Sequence, residues 1–329
     1  MQEMIINNLT SPAILFFILG IIAALVKSDL KLPTGLNESL SIYLLIAIGM
    51  KGGIELAEHS FHELVRPLVG TLSLGIIIPI ITFAVCRRLG IDRKNATGIA
   101  ATYGSVSIVT FGAALAFVEQ ANIAYESYMS AFVVLLESPA IIVSLVILKL
   151  LESRSYKQEM VYRFSATSVY GPIIKEGLFG KSVFLMVGSL LVGLIGGDRA
   201  LTVVKPLFID LYPSVLVLFL LGMGLTAGNQ LAAVRKYGLK LLALGILLPP
   251  VYGFLGVVIG YYSGLSFGGT ILLSVLAASA SYIAAPAAMR ASVPEANPAI
   301  YLGMALGLTF PFNLTIGMPL YYEMAKWFY

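Results

Sequence analysis

Ten runs of apolar residues, separated by short polar punctuation, dominate the chain. They cover roughly 12–27, 36–50, 67–86, 97–117, 128–150, 182–195, 206–223, 239–261, 269–288 and 299–322. Runs of about 14–24 residues suit membrane helices; outer-membrane strands need only about 10. Strand-type alternation is weak throughout. The first, second and sixth runs fall short of the usual span, which predicts extension by loop residues or a partly re-entrant path. One long polar stretch, 152–181, divides five runs from five. The pattern predicts an all-α integral membrane protein with ten transmembrane helices. Residues 1–151 form one five-helix repeat, 152–181 a linker loop and 182–329 a second repeat.

Composition fits a lipid solvent. The chain is 58% hydrophobic and 12% charged, with a mean hydropathy of +0.92. Soluble domains carry roughly 25% charged residues. Basic residues orient the spans. With the linker in the cytoplasm, only Lys51, Arg66, Arg199, Lys205 and Lys326 of the 21 Lys and Arg fall outside. Both termini are then external. Five spans per half is odd, so the second half enters the membrane in the opposite sense. The halves echo each other in order. Ile48-Gly49-Met50 resembles Leu221-Gly222-Met223, Pro79 resembles Pro249-Pro250, and Ser138-Pro139 resembles Phe310-Pro311. The series predicts two inverted five-helix repeats.

Two serine-bearing interruptions stand in the fourth and ninth runs: Gly104-Ser105-Val106-Ser107-Ile108-Val109-Thr110, and Ala278-Ser279-Ala280-Ser281-Tyr282 ahead of Pro286. Broken helices at membrane depth are tolerated where they line a cavity, and paired breaks in two halves point to a transport site. A helix starting near Ser107–Thr110 would present free N–H groups and a positive dipole end to an anion. Ser105, Ser107, Thr110, Ser279 and Ser281 add hydroxyls that donate to an anion or accept from a cation. The plainer alternative is that these hydroxyls bond back to the i−4 carbonyl and bend ordinary helices. Pro286 is expected to free the carbonyl of Tyr282 as a cation ligand. Tyr282 itself either caps the pocket, donates its hydroxyl or simply packs. Glu137 is read as the sole acid deep in a span, a ligand for a cation or a carrier of protons, or a structural acid. Asn313 and Thr315 occupy a comparable stretch of the second half.

Several function classes drop out. Cys86 is the single cysteine, so no intramolecular disulfide forms. His59 and His62 are the only histidines. They lack a third metal ligand beyond Glu58 and Glu63, and are read as a solvated loop. No cleavable signal peptide is read, since no basic region precedes the first run. No phosphate-binding loop occurs, which argues against a nucleotide-driven pump. The net charge of +4 is accounted for by inward-facing loops without nucleic acid. A membrane-embedded enzyme would need a base or metal cluster at depth. Neither is found, so no catalytic residue or cofactor is assigned.

The chain resembles the sodium-dependent bicarbonate transporter family of the cyanobacterial type. The resemblance rests on Ile48-Gly49-Met50-Lys51-Gly52-Gly53, the first break with Ala113-Ala114-Leu115, Tyr125-Glu126 and Glu137-Ser138-Pro139-Ala140. Most specific is Ala277-Ala278-Ser279-Ala280-Ser281-Tyr282-Ile283, then Pro286, Arg290-Ala291, Pro294, Ala296-Asn297-Pro298 and Tyr301-Leu302-Gly303. The resemblance implies sodium-coupled bicarbonate uptake across a bacterial inner (plasma) membrane, a homotrimer and a PII-like regulator on the cytoplasmic face. It puts bicarbonate between the breaks at Ser105, Ser107, Thr110, Ser279 and Ser281. A coupling ion would sit nearby, among Ser107, Thr110, Glu137, Ser281, Tyr282 and Asn313. The chain departs from the family at the breaks. It has Ser107-Ile108-Val109-Thr110 for Ser-Gly-Ser-Thr, and Ser281-Tyr282-Ile283-Ala284-Ala285 for Ser-Asp-Ile-Ser-Gly. The missing acid weakens a sodium site, and the missing glycine and hydroxyls dry the anion pocket. The alternatives are another small carboxylate, proton coupling through Glu137, or a non-transporting regulatory membrane protein.

Overall fold

The computed structural model describes residues 6, 8–33, 35–155, 179–234 and 238–329. Most of the 152–181 linker, with Lys157, Arg163 and Lys175, lies outside the described residues, as do Arg235 and Lys236. Every described element is helical: α1 (Pro12–Leu25), α2 (Leu36–Ala57), α3 (Phe61–Arg88), α4 (Arg93–Gly104), α5 (Ile108–Gln120), α6 (Met129–Ser155), α7 (Lys181–Lys205), α8 (Tyr212–Val234), α9 (Leu239–Tyr262), α10 (Phe267–Ala278), α11 (Ala284–Ser292) and α12 (Pro298–Ala325, interrupted by two π turns). Among the described residues, seven helical runs are long and apolar enough to cross a membrane. One of these runs, Lys181–Leu231, contains both α7 and most of α8; α1 and α10 are shorter apolar helices.

Helix starts follow local chemistry. Ser11 accepts from the Ile14 N–H ahead of α1, with Pro12 in the first turn. Asp92 accepts from Asn95 ahead of α4, and Ser266 from Gly269 ahead of α10. Asn297 accepts from Ala299 ahead of α12, again with Pro298 just inside. Each cap satisfies an N–H that the helix itself leaves unpaired.

Two elements run further than hydropathy predicts. The second span does not stop at Met50 but continues to Ala57. Lys51 and Glu55 pair across one turn at 3.8 Å, which lets a charged turn extend an apolar helix. Glu55 is therefore a partly buried acid near the end of this span. The sixth span reaches Lys205, with an interruption at Gly197, whose φ of 46° suits glycine. His59 lies in the loop between α2 and α3, as read, but is only partly exposed. Its ring bonds Ser127 at 2.8 Å and Glu63 at 3.3 Å, while His62 lies exposed in the first turn of α3.

Glycines set the main helix crossings. A Cβ at Gly53 would come 2.0 Å from the Leu190 carbonyl oxygen of α7, and one at Gly193 would come 2.4 Å from that of Met50. The other pair repeats this. A Cβ at Gly20 of α1 would meet the Leu221 carbonyl oxygen of α8 at 2.3 Å, and one at Gly224 that of Phe17 at 2.1 Å. Small residues let membrane helices approach backbone to backbone, the packing that lipid itself cannot drive. Prolines leave debts that neighbours settle. Pro249 cannot donate to the Gly245 carbonyl, and the Thr309 hydroxyl of α12 does so at 2.8 Å. The hydroxyl of Tyr103 in α4 reaches Thr309 at 2.6 Å, so α4, α9 and α12 meet at one buried polar point. At one end of the molecule Lys94 and Glu295 pair at 2.9 Å, which holds the Glu295 carboxyl below its ordinary range. The Asn297 N–H donates to Asn95 nearby at 2.7 Å.

The crossings make a contrast that thermal melting in detergent can read. Gly53→Leu should destabilise by about 1–3 kcal/mol or prevent folding, because backbone cannot move aside. Gly188→Ala, on the partner helix α7 and with nothing within 4 Å, should melt near the parent temperature. Equal melting of the two variants would contradict the close-packing role.

Candidate functional site at two helix breaks

α4 ends at Gly104 and α5 begins at Ile108; α10 ends at Ala278 and α11 begins at Ala284. Each first segment closes on an extended serine, Ser105 with ψ 171° and Ser279 with ψ 167°. The two irregular segments lie side by side and bond to each other. The Ser107 N–H donates to the Ser279 hydroxyl oxygen at 3.0 Å. The Ser281 N–H donates to the Thr102 carbonyl at 2.8 Å. Backbone released by breaking one segment is thus satisfied by the other, as it must be away from water.

The hydroxyls are buried and mostly committed. Ser107 accepts from the Thr110 N–H at 3.1 Å and from the Thr110 hydroxyl at 2.8 Å, which caps α5. Ser279 donates to the Leu276 carbonyl at 2.8 Å. Ser281 accepts from the Ala285 N–H at 3.3 Å, opening α11. Ser105 differs: at 1% exposure its hydroxyl has no partner. The structure therefore brings Ser105, Ser107, Thr110, Ser279 and Ser281 into one buried region, with the positive end of the α5 dipole among them.

The residues assigned to a coupling ion separate on inspection. Glu137, from α6, is 2% exposed and lies beside Ser281, and its Oε2 has no partner. Asn313 is consumed. Its amide donates to the Ala278 carbonyl at 2.9 Å, and its carbonyl oxygen accepts from the Tyr321 hydroxyl at 2.7 Å. It works as a strut that caps the end of α10. Thr315 bonds back to the Pro311 carbonyl at 2.8 Å, within its own helix. Pro286 falls in the first turn of α11, where an N–H would find no intrahelical acceptor in any case, so it frees no carbonyl at Tyr282.

Two tyrosines flank the region. Tyr282 lines a cavity of about 480 Å³ that also touches Asn37, Lys181, Thr226 and Arg290. Its ring packs edge-on against Phe310 at 5.5 Å, and its hydroxyl is buried beside Ser107 without a hydrogen bond of good geometry. Tyr212 lines a different cavity of about 160 Å³, with Lys51, Glu119 and Phe208. Its hydroxyl is also buried and unpartnered, and it presses on Gly112, where a Cβ would come within 2.2 Å. The contribution of Tyr212 and of the Thr102 carbonyl is absent from any linear reading. The first depends on where α8 packs; the second is a backbone group with no side-chain signature. The only sequence hint is Gly112, a glycine inside α5.

Among the described residues no group of three or more His, Cys, Asp or Glu is arranged to hold a metal ion. No curated protein matches the chain. A family profile, that of the Na+-dependent bicarbonate transporter superfamily, matches residues 12–326. That span takes in both breaks and every helix from α1 to α12, and on it the chain belongs to the Na+-dependent bicarbonate transporter superfamily.

Proposed function

We propose that the protein is a secondary active transporter that takes up a small anion, bicarbonate, coupled to sodium. Bicarbonate binds where the two breaks meet, against the α5 N-terminus and the hydroxyls of Ser105, Ser107, Thr110, Ser279 and Ser281. The observation that carries this reading is the orphaned Ser105 hydroxyl among the capped serines of two facing breaks. A buried donor without a partner costs about 1–3 kcal/mol, which an anion would recover. Family membership supplies the substrate class. The two halves of the reading are two inverted five-helix repeats, α1–α6 and α7–α12, with broken helices in the fourth and ninth spans. Packing supports it: α2 crosses α7 as α8 crosses α1, and α3 packs on α4 as α9 packs on α10. Exchange of the halves preserves these partners, as a pseudo-two-fold axis requires.

Sodium is the coupling ion in this reading. Ser107, Thr110 and Ser281 oxygens are its nearest polar groups, with Glu137 supplying charge. A second version is favoured by one observation. Tyr282 stands where the family carries an acid, leaving Glu137 as the carboxylate beside the breaks. Glu137 then carries a proton in place of a sodium charge, or the substrate is another small carboxylate. The protein sits in a bacterial inner membrane as a homotrimer with both termini outside. A PII-like regulator docks on the cytoplasmic face.

Uptake of labelled bicarbonate into proteoliposomes tests the reading. An inward sodium gradient should drive accumulation that choline does not, and Ser105→Ala should weaken apparent affinity about ten- to hundredfold, the loss of a hydrogen bond to a charged group. Accumulation independent of both sodium and pH would refute coupling of either kind. Steep pH dependence without sodium dependence, abolished in Glu137→Gln, would select the proton version.

Sidedness has its own check. Cysteines at Lys27 and at His62, both exposed, should label with an impermeant reagent from the inner and the outer face respectively. Labelling of the Lys27 position from outside intact cells would invert the topology.

A further inference from the structure

We propose that Tyr212 and Tyr282 are a matched pair of gates on the anion site, each closing one approach and each donating its phenol hydroxyl to the bound anion. The inference rests on the anion-site reading above. It begins with the two cavities. The larger one has Tyr282, Ile283 and Ala284 in its wall but none of the five break hydroxyls. The smaller one reaches Tyr212 and Gly112 and likewise stops short of them. All five hydroxyl-bearing residues are at most 3% exposed. The site is therefore shut from both directions, and an aromatic ring stands at the end of each approach.

The rings share an arrangement. Both residues are partly exposed, and both line a cavity. Both hydroxyl oxygens are nevertheless buried and without a hydrogen bond. Each tip is aimed at α5: Tyr282 at its cap Ser107, Tyr212 at Gly112 just over one turn further on. A ring that only packs would face apolar neighbours with its hydroxyl toward water or an acceptor. Two phenols that bury unpaired hydroxyls against the first turn and a half of α5 are instead each poised for an acceptor there. An anion is the acceptor that also suits the positive end of α5.

The neighbours fit gating. The Tyr282 ring rests edge-on against Phe310, which is T-shaped on Phe17 at 5.1 Å, so its immediate ring neighbours are themselves side chains. Tyr282 precedes α11 in a non-helical stretch, and Tyr212 opens α8 directly after the π turn Pro206–Asp210. Irregular backbone beside a gate can absorb the rotation that opening needs. Glycine at 112 leaves the volume that the Tyr212 hydroxyl fills.

Thiol accessibility tests the gates without reference to transport. Ser105→Cys places a reporter at the one hydroxyl whose loss breaks no hydrogen bond, and buried Cys86 reports folding by staying unlabelled. In proteoliposomes of known orientation the reporter should resist an impermeant thiol reagent from both faces. Adding Tyr282→Ala should expose it only from the face that carries Lys181 and Arg290. Adding Tyr212→Ala should expose it only from the opposite face. Tyr282→Phe and Tyr212→Phe should leave it closed while weakening bicarbonate affinity about ten- to hundredfold, because ring volume remains and the donor is gone. If an alanine variant labels at Cys86, leucine at the same position replaces it. The proposal is overturned if the small variants leave the reporter closed, if either opens it to both faces, or if the phenylalanine variants bind bicarbonate as the parent does. If the parent binds no bicarbonate while the alanine variants open the site as described, the gates stand and the substrate assignment falls.

Discussion

Backbone that leaves a helix inside a membrane has no water to turn to. In this protein the requirement is met by two hydrogen bonds across the breaks, from the Ser107 N–H to Ser279 and from the Ser281 N–H to the Thr102 carbonyl. Each break supplies the partner that the other lacks, so neither can form in its observed shape alone. Unsatisfied groups in hydrocarbon cost several kcal/mol each, which couples the two halves of the chain at their centre. Asn313 adds to this by capping α10 from α12, with Tyr321 holding the amide in place. The same polar frame that makes the breaks affordable also leaves Ser105 and two phenols with nothing to bind.

The surrounding helices serve that centre. Glycine-to-backbone crossings of α2 with α7 and of α1 with α8 bring the halves within reach. The Thr309 hydroxyl links the proline-interrupted α9 to α4 through Tyr103. Displacing any of these helices moves a break. Substitutions far from Ser107 are therefore expected to act on the site through geometry and not through contact.

Much of this was legible in the chain. Hydropathy located the apolar runs, and Ser-x-Ser in two of them located the irregular segments, because hydroxyls at membrane depth demand an explanation. What escaped had physical reasons. The end of α2 was placed at Met50, since Lys51 and Glu55 look prohibitive until they are seen as a pair on one helix face. Asn313 was read as an ion ligand because nothing in the sequence reveals that the Ala278 carbonyl and the Tyr321 hydroxyl already occupy it. Pro286 was read as freeing a carbonyl because the start of α11, only two residues upstream, follows Ile283, whose side chain cannot cap a helix. Tyr212 was missed altogether, as its part depends on α8 packing against α5, a contact about a hundred residues apart in the chain.

The central claim is that both breaks hold one anion together, and a double-mutant cycle on equilibrium bicarbonate binding measures that directly. Ser105→Ala removes an unpartnered hydroxyl from the first break, and Ser281→Ala removes from the second the hydroxyl that accepts from the Ala285 N–H. If the two breaks share a ligand, the losses should be non-additive, with a coupling energy of about 0.5–3 kcal/mol. Losses that add to within about 0.5 kcal/mol, the behaviour of independent positions, would contradict a shared site.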